Sequence, residues 1–581
     1  MKKNNRKVLK QKKQSTKPAR RLFKKRSFVP NRKNFPWLKY LIIFLLFSLA
    51  IFFRIYKISE IPPSLNWDEV SHGYNAYSIF KTGKDEWGIS WPLIFRAYGD
   101  YKLPLYIYLT APVVGFGGIN PLTVRLVSIL SGLGVVATAY LITKRITRNE
   151  GASLFAAFLA AISPWSLFVS RVALEANLAA FLFSLAIYFW LNWVENLKEK
   201  DLIWSGFFWG LSLYAYNSAR VLVPFFVLLT VFFVIKRRIK FLHTIAFFLL
   251  ILIFYFPLIS QLVNKSALAR FDNVFLIDQG LVNQIVEFRD NTHLPSVVAR
   301  LIYNRPSFFV YYSFRNYLYN LSPWYLFFRG GNHYQFSLPD HEILYLVTAP
   351  FLLIGIIKIL LRGSVQERCL LFWFFVGFIP SAITKDAPHV LRTLLILPAP
   401  LVLSAIGLKT VDGLWKEKSF FKGKLLVSVL WLSVLVSFGR WWLDYQNIYP
   451  KAYSWAWQYG YKEAVEFVKE NYQKYDKIFF TKRYGEPHEF VLAYFQWPPE
   501  DYQLSPNKNW NYHANWYWID GFDKFVFVND WEIKNAKCQM PNVKCLLITS
   551  PGNYPEGWNK IKTINFLDGR EAFEILENQN N

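Results

Sequence analysis

Asn66-Trp67-Asp68-Glu69 places two carboxylates side by side in a segment rich in aromatic residues, with His72, Tyr74 and Tyr77 close behind. A carboxylate held near an apolar interface has a raised proton affinity, which suits a general base, and aromatic rings can stack on a sugar face. Asp85-Glu86 and Asp100 are eligible on charge alone, and a solvated acidic loop is the plain alternative for all of them. Lys102 precedes a short apolar stretch at 103–118, where it could meet a lipid phosphate or simply snorkel. Arg171 and Glu175 stand four apart, a spacing that allows an ion pair. Tyr214, Tyr216, Asn217, Ser218 and Arg220 crowd one short segment before Pro224. His389 and Arg392 lie three apart, a spacing that predicts one helical face at a helix start and a phosphate-binding character. Gly330-Gly331-Asn332-His333 adds a flexible polar break. No serine-nucleophile elbow, zincin motif or phosphate loop occurs.

The elements that must position these residues are membrane helices. The chain has 581 residues, 53% of them hydrophobic and 19% aromatic, and carries a net charge of +28. A nucleic-acid binder could be as basic, but long apolar runs read as membrane spans, so the charge is read first as topology. Residues 1–36 hold 15 Lys and Arg and no acid, the pattern of a cytoplasmic tail before an uncleaved first span at 37–56. Further spans are expected near 121–144, 151–170, 174–194, 202–218, 219–236, 239–260, 341–361, 366–384, 390–408 and 424–445. If the 103–118 stretch lies in the interface, Lys144-Arg145 with Arg148, Lys236-Arg237-Arg238 and the 409–424 connector all fall inside. That choice satisfies the positive-inside rule and predicts eleven spans, with the N-terminus inside and the C-terminus outside. The 57–120 and 261–340 loops, the second read as an aromatic lid at the membrane surface, then lie outside.

Residues 451–581 lose the long apolar runs. Helical spacing at 464–468 and buried-strand patterns at 477–481, 524–528 and 546–549 predict a small extracytoplasmic α/β domain. Three cysteines build no framework and no metal-type Cys/His cluster; Cys538 and Cys545 could pair or stay as thiols.

Several motifs, taken in order, resemble the lipid-phosphate-dependent membrane glycosyltransferases, a superfamily of GT-C type that includes the protein O-mannosyltransferases and the lipid A aminoarabinose transferase. They are Trp67-Asp68-Glu69, Lys102-Leu103-Pro104-Leu105, Arg125-Leu126, Ser170-Arg171, Tyr216 through Arg220 to Pro224, Ser322-Pro323-Trp324-Tyr325-Leu326-Phe327 and Pro388-His389 through Arg392, within 37–450. The resemblance implies a polytopic helical fold, an outside site, a polyprenyl-phosphate sugar donor, a hydroxyl acceptor and anomeric inversion. It implies Asp68 as catalytic base; Glu69 points elsewhere on any regular local backbone, which suits orienting the acceptor or pairing with a cation. Lys102 corresponds to a lysine near the lipid phosphate in the aminoarabinose transferase, a position filled differently in the O-mannosyltransferases. Arg392, Arg171 and Arg220 are further phosphate candidates, and Glu175, Tyr216, Asn217, His333 and His389 are substrate candidates. No cofactor is firmly implied, a divalent metal stays open, and no nucleic-acid partner is expected. Oligosaccharyltransferase-like transfer of a whole glycan remains an alternative. However, Trp441-Trp442-Leu443-Asp444-Tyr445 departs from the Trp-Trp-Asp-Tyr-Gly motif of those enzymes and reads as the end of a span. A lipid-linked sugar flippase is the rival from another class. It would place ionisable groups near the bilayer midplane, whereas the charged residues singled out here fall at span ends. The implied location is the plasma membrane.

Overall fold

The computed structural model describes residues 36–99, 101–263, 274–418, 420–513, 516–535, 538 and 543–578. The basic tail (apart from Pro36) and Asp100 lie outside this set. The chain is a multi-pass helical membrane protein with a C-terminal α/β domain. Among the described residues five helices are long and apolar enough to cross a bilayer: Trp37–Ile55, Pro121–Thr147, Glu175–Asn196, Asn217–Lys236 and Leu394–Gly413. Glu150–Ile162 and Pro164–Ser170 form a pair bent by 52° that makes a sixth if read as one span. Other segments expected to span are broken into shorter helices, among them Glu199–Ser212, Ala349–Arg362 and Val365–Val376. At 1.5 Å per residue, helices of 12–14 residues reach only about 18–21 Å of a roughly 30 Å core. Phe420–Asn447, by contrast, runs for 28 residues.

The 57–120 segment is folded. After α1 (Pro36–Ile55) comes α2 (Trp67–Thr82), then a two-residue hairpin of β1 (Phe95–Arg96) and β2 (Tyr101–Lys102), then α3 (Pro104–Gly117), followed by α4 (Pro121–Thr147). A capping box starts α2: the Glu69 N–H donates to Asn66 Oδ1 at 2.9 Å, and the Asn66 N–H donates to Glu69 Oε2 at 3.3 Å. Gly83, at φ 69°, ends it. With 14 residues α3 is too short to cross unaided. The 261–340 segment carries the helices Gln279–Asp290, Ser296–Ile302 and Arg305–Leu321; the last leaves Tyr311, Phe314 and Tyr319 exposed.

The C-terminal domain holds a seven-stranded mixed sheet in the order β4-β5-β6-β3-β7-β9-β8. Its strands are β3 (Lys477–Thr481), β4 (Asn509–His513), β5 (Trp516–Phe522), β6 (Phe525–Val528), β7 (Cys545–Thr549), β8 (Trp558–Asn565) and β9 (Glu571–Asn578). Strands β6 and β7 flank β3 in parallel. All five residues of β7 are buried, as a continuous apolar run in a parallel pairing requires. The three strands expected from the sequence are this central trio, and Tyr461–Asn471 is the expected helix. Cys538 and Cys545 are joined as a disulfide, with Cα atoms 6.2 Å apart.

The domain clasps α2. Gln458 Oε1 accepts the Trp67 N–H at 3.3 Å, and the Tyr74 hydroxyl donates to the Trp497 carbonyl at 3.2 Å. Gln503 reaches both Ser78 and the Asp85 carbonyl. Gly485, at φ 122°, lies against the Trp67 ring, where an added Cβ would come within 2.4 Å. Only glycine fits that backbone and that approach.

Candidate functional site

The first turn of α2 separates its two carboxylates by chemistry. The Glu69 side chain is sealed inside and meets Arg125 of α4 in a bidentate pair, Oε1 to Nε and Oε2 to Nη2, both at 2.8 Å. Oε1 also accepts the Ala173 N–H at 2.8 Å. The remaining Arg125 donors go to the carbonyls of Ile58 and Ser64, each at 2.7 Å. A carboxylate with both oxygens committed inside the protein has no face for an acceptor, so of the two expected roles for Glu69 the structure supports pairing with a cation.

Asp68 points the other way. Its side chain is 45% exposed and pairs with Lys102 Nζ at 2.8 Å, while the same ammonium donates to the Asp68 carbonyl at 3.1 Å. Lys102 is otherwise buried, beneath the face of Tyr98, whose hydroxyl donates to the Trp67 carbonyl at 2.7 Å. Asp68 also lies near enough to act on His333, whose pKa is lowered by desolvation and pulled back up by that carboxylate. His333 stacks on Phe336 with ring centres 4.1 Å apart, and Phe336 leans on His389 at 5.5 Å. Asp68, Lys102, His333 and His389 thus gather around one region, brought from three distant stretches of chain.

His389 and Arg392 do not share a helical face. The segment turns, the Arg392 N–H donating to His389 Nδ1 at 3.4 Å, and the α-helix that follows begins only at Ala399. Pro398 has no N–H and blocks an earlier start. Arg392 donates to Thr384 Oγ1 at 2.9 Å and to the Lys385 carbonyl. The Ser218 hydroxyl donates to the Arg392 carbonyl at 3.1 Å, which joins the 216–220 corner to this turn. There Tyr216 is buried, Asn217 begins the helix Asn217–Lys236, and Arg220 Nε donates to the Leu213 carbonyl at 3.1 Å.

Arg171 sits apart from any open face. It is fully buried, and its donors go to the carbonyls of Phe53, Tyr56 and Ile61 and to the Tyr445 hydroxyl. Glu175 meets His72 at 3.6 Å instead of the expected Arg171. The unwound turn at 171–174 breaks the helical spacing on which that pair depended. Arg54, which no spacing or motif marks out, is buried likewise and binds the Ala160 and Ala161 carbonyls. These arginines tie span ends together.

A second set of buried polar groups lies between the end of α2 and the C-terminal domain. Glu86 faces His488 and Glu489 of the helix Pro487–Phe495, with Glu486 and Asp85 nearby. Burial pushes the Glu86 and Glu486 carboxyls up to about 7 and raises Glu489 as well, while it depresses His488. Asp85 and Glu86 are therefore not open acids available to an acceptor. His488 and Glu489 escape sequence reasoning because they are 402 and 403 positions from Glu86 (488 − 86 and 489 − 86).

A family profile described as dolichyl-phosphate-mannose-protein mannosyltransferase matches residues 102–260. ArnT from Cupriavidus metallidurans, solved in the apo state, superposes with a TM-score of 0.51 at 11% identity, over 94% of this chain and 98% of that one. The chain has the GT-C glycosyltransferase fold. The same ArnT bound to undecaprenyl phosphate gives the same TM-score and coverage. The apo oligosaccharyltransferase of Archaeoglobus fulgidus superposes with a TM-score of 0.50 at 14% identity, over 79% of this chain. This chain spans 64% of that protein's length. A comparison with curated proteins gave no match. Of the folded segment between α1 and α4, α2 carries Asp68.

Proposed function

We propose that this protein is a membrane glycosyltransferase that moves a sugar, a hexose or pentose such as mannose, from a polyprenyl phosphate to a hydroxyl acceptor. The transfer takes place on the extracytoplasmic face of the plasma membrane, with inversion at the anomeric carbon. One observation carries the assignment of the base: of Asp68, Glu69, Asp85 and Glu86, only Asp68 presents its carboxylate to solvent. The profile match from residue 102 and the undecaprenyl phosphate bound by ArnT support a lipid-linked donor.

In this reading the acceptor oxygen attacks the anomeric carbon and its proton passes to an Asp68 oxygen. The bond from that carbon to the phosphate oxygen breaks, its electron pair leaving with the phosphate. Lys102 stands 2.8 Å from Asp68 and is the cation nearest to hand for the departing charge. While Lys102 holds it, the Asp68 carboxylate is engaged. Once the donor phosphate draws Lys102 away, the carboxylate is released to the acceptor hydroxyl, so proton transfer waits for the donor. Arg392 and Arg220, on the joined turns, are further phosphate contacts, and His333, His389, Tyr216 and Asn217 line the sugar or acceptor side.

The test is purified full-length protein offered a panel of radiolabelled polyprenyl-phosphate sugars, with label followed into protein, lipid and glycan fractions. Transfer by the wild type and none by Asp68→Asn, with donor still bound, is expected. Label carried across a liposome membrane without bond formation would refute the transferase reading.

A further inference from the structure

The buried junction between α2 and the C-terminal domain has the composition of a metal site. Glu86, His488 and Glu489 each offer a ligand atom within 4.8 Å of the other two, and all three side chains are buried. His488 Nε2 lies 3.8 Å from Glu489 Oε1. Asn75 fixes Glu86 by donating to Oε1 at 3.0 Å. The second oxygens, Glu86 Oε2 and Glu489 Oε2, are buried without any hydrogen-bond partner. The neighbouring ammonium groups are engaged elsewhere. Lys508 donates to the Glu86 carbonyl at 3.1 Å and lies over the Tyr502 ring, Lys482 pairs with Asp520, and Lys102 pairs with Asp68.

Two withdrawn carboxylates beside an imidazole, each with an oxygen that has no hydrogen-bond partner, make a cluster that a cation would satisfy, because an unsatisfied buried polar atom is costly. We propose that Glu86, His488 and Glu489 bind a zinc-class divalent cation that staples the C-terminal domain to the segment carrying Asp68. The donor set selects the metal class. Magnesium and calcium favour shells made of oxygen, whereas an imidazole with carboxylates suits zinc. Zinc holds nitrogen and oxygen ligands at about 2.0–2.2 Å, which puts neighbouring ligand atoms of a tetrahedron roughly 3.3–3.5 Å apart. The 3.8 Å separation of Nε2 from Glu489 therefore closes with a small side-chain rotation, and water supplies the fourth position. Glu486 completes the pattern. Its Oε2 stands 3.4 Å from His488 Nδ1, a buried atom that makes no hydrogen bond as it stands, so a small rotation would let this carboxylate take the second ring N–H of a metal-bound histidine and fix its tautomer. The site reaches α2 directly, since Asn75 binds Glu86 and Ser71 hydrogen-bonds the Glu489 side chain. Ser71 and Asn75 follow Asp68 at i+3 and i+7, on the same side of the helix.

The test uses the full chain purified in detergent on a tag free of histidine, with zinc measured by mass spectrometry and stability by thermal unfolding. Zinc at a stoichiometric level is expected, with an X-ray absorption signature of nitrogen and oxygen ligands and no sulfur. A strong chelator should lower the unfolding midpoint, and zinc but not magnesium should restore it. Glu86→Gln with Glu489→Gln should lose the metal. Glu486→Gln should weaken zinc binding by about 10- to 100-fold, the usual effect of removing a histidine's outer carboxylate. Wild-type protein that neither holds zinc nor shifts its midpoint with zinc or chelator would overturn the proposal; the carboxyls would then be neutral acids. Equal zinc in wild type and the double variant would overturn it too, since the metal would sit elsewhere.

Discussion

Substituting Asp68 and Glu69 one at a time should produce opposite phenotypes from adjacent residues. Glu69→Gln keeps the shape of the side chain but removes the charge that balances a fully buried Arg125. It also places an amide N–H₂ either against the Ala173 N–H or against the Asn66 N–H, both of which now donate to the carboxylate. Breaking one side of a buried pair typically costs about 3–5 kcal/mol. Asp68→Asn loses a pair whose carboxylate is 45% exposed, and the buried Lys102 keeps the Asp68 carbonyl as acceptor, so the stability cost is smaller, about 1–2 kcal/mol. Turnover should nevertheless fall by about 100- to 10,000-fold, the usual contribution of a general base. The assay is thermal unfolding by size-exclusion fluorescence beside single-turnover transfer and donor binding. Glu69→Gln should show a clearly lower midpoint, with the surviving folded fraction partly active. Pairing it with Arg125→Met, which removes the stranded charge, should recover part of the loss. If Glu69→Gln held the wild-type midpoint and bound donor but lost turnover, the division of labour drawn here would be wrong, and Glu69 would be the reacting carboxylate.

Other expectations follow from the same geometry. Arg392→Ala should raise the donor concentration needed for half-maximal transfer more than the acceptor concentration, and Lys102→Ala should do so too; unchanged donor dependence in both would point to Arg220. Arg148→Cys and Arg238→Cys should resist an impermeant thiol reagent added from outside, and labelling of either would overturn the eleven-span topology. Replacing Cys538 by serine opens the short loop between Cys538 and Cys545 and should destabilise the domain by about 2–3 kcal/mol on the chain-entropy scale. Mass spectrometry after alkylation of denatured, unreduced wild type should find only Cys369 modified.

What was legible in the sequence was whatever depends on local pattern. Continuous apolar runs marked β3, β6 and β7, and helical spacing marked Tyr461–Asn471, because a strand or helix buried on a fixed face writes its period into the chain. Asn66 three residues before Glu69 was also a readable signal for a helix start, with the Glu69 carboxylate turned back to the cap. The span count was harder to read from apolarity alone: a hydrophobic stretch such as 366–384 carries Gly377 and Pro380, and its helix stops at Val376 after 12 residues. Charged residues at span ends were the least legible, since hydropathy places Arg125, Arg171, Arg220 and Arg392 alike at the interface. Only the fold separates a fully buried arginine whose donors all meet backbone carbonyls and a tyrosine, as in Arg171, from one on a half-buried turn, as in Arg392.

The pairing of Lys102 with Asp68 goes beyond either kind of reading, because it joins two residues that the sequence could only nominate separately. In the resting site the ammonium faces two claims, the Asp68 carboxylate that holds it and the donor phosphate that must take it over. The consequence is measurable: removing the charge of the carboxylate should free the ammonium and tighten donor binding, while removing the ammonium should weaken it. Asp68→Asn should therefore bind donor more tightly than the wild type, whereas Lys102→Ala should bind it less tightly, and the double variant should gain nothing from the asparagine. Donor binding unchanged by Asp68→Asn would mean that Lys102 positions Asp68 and is not given up to the phosphate.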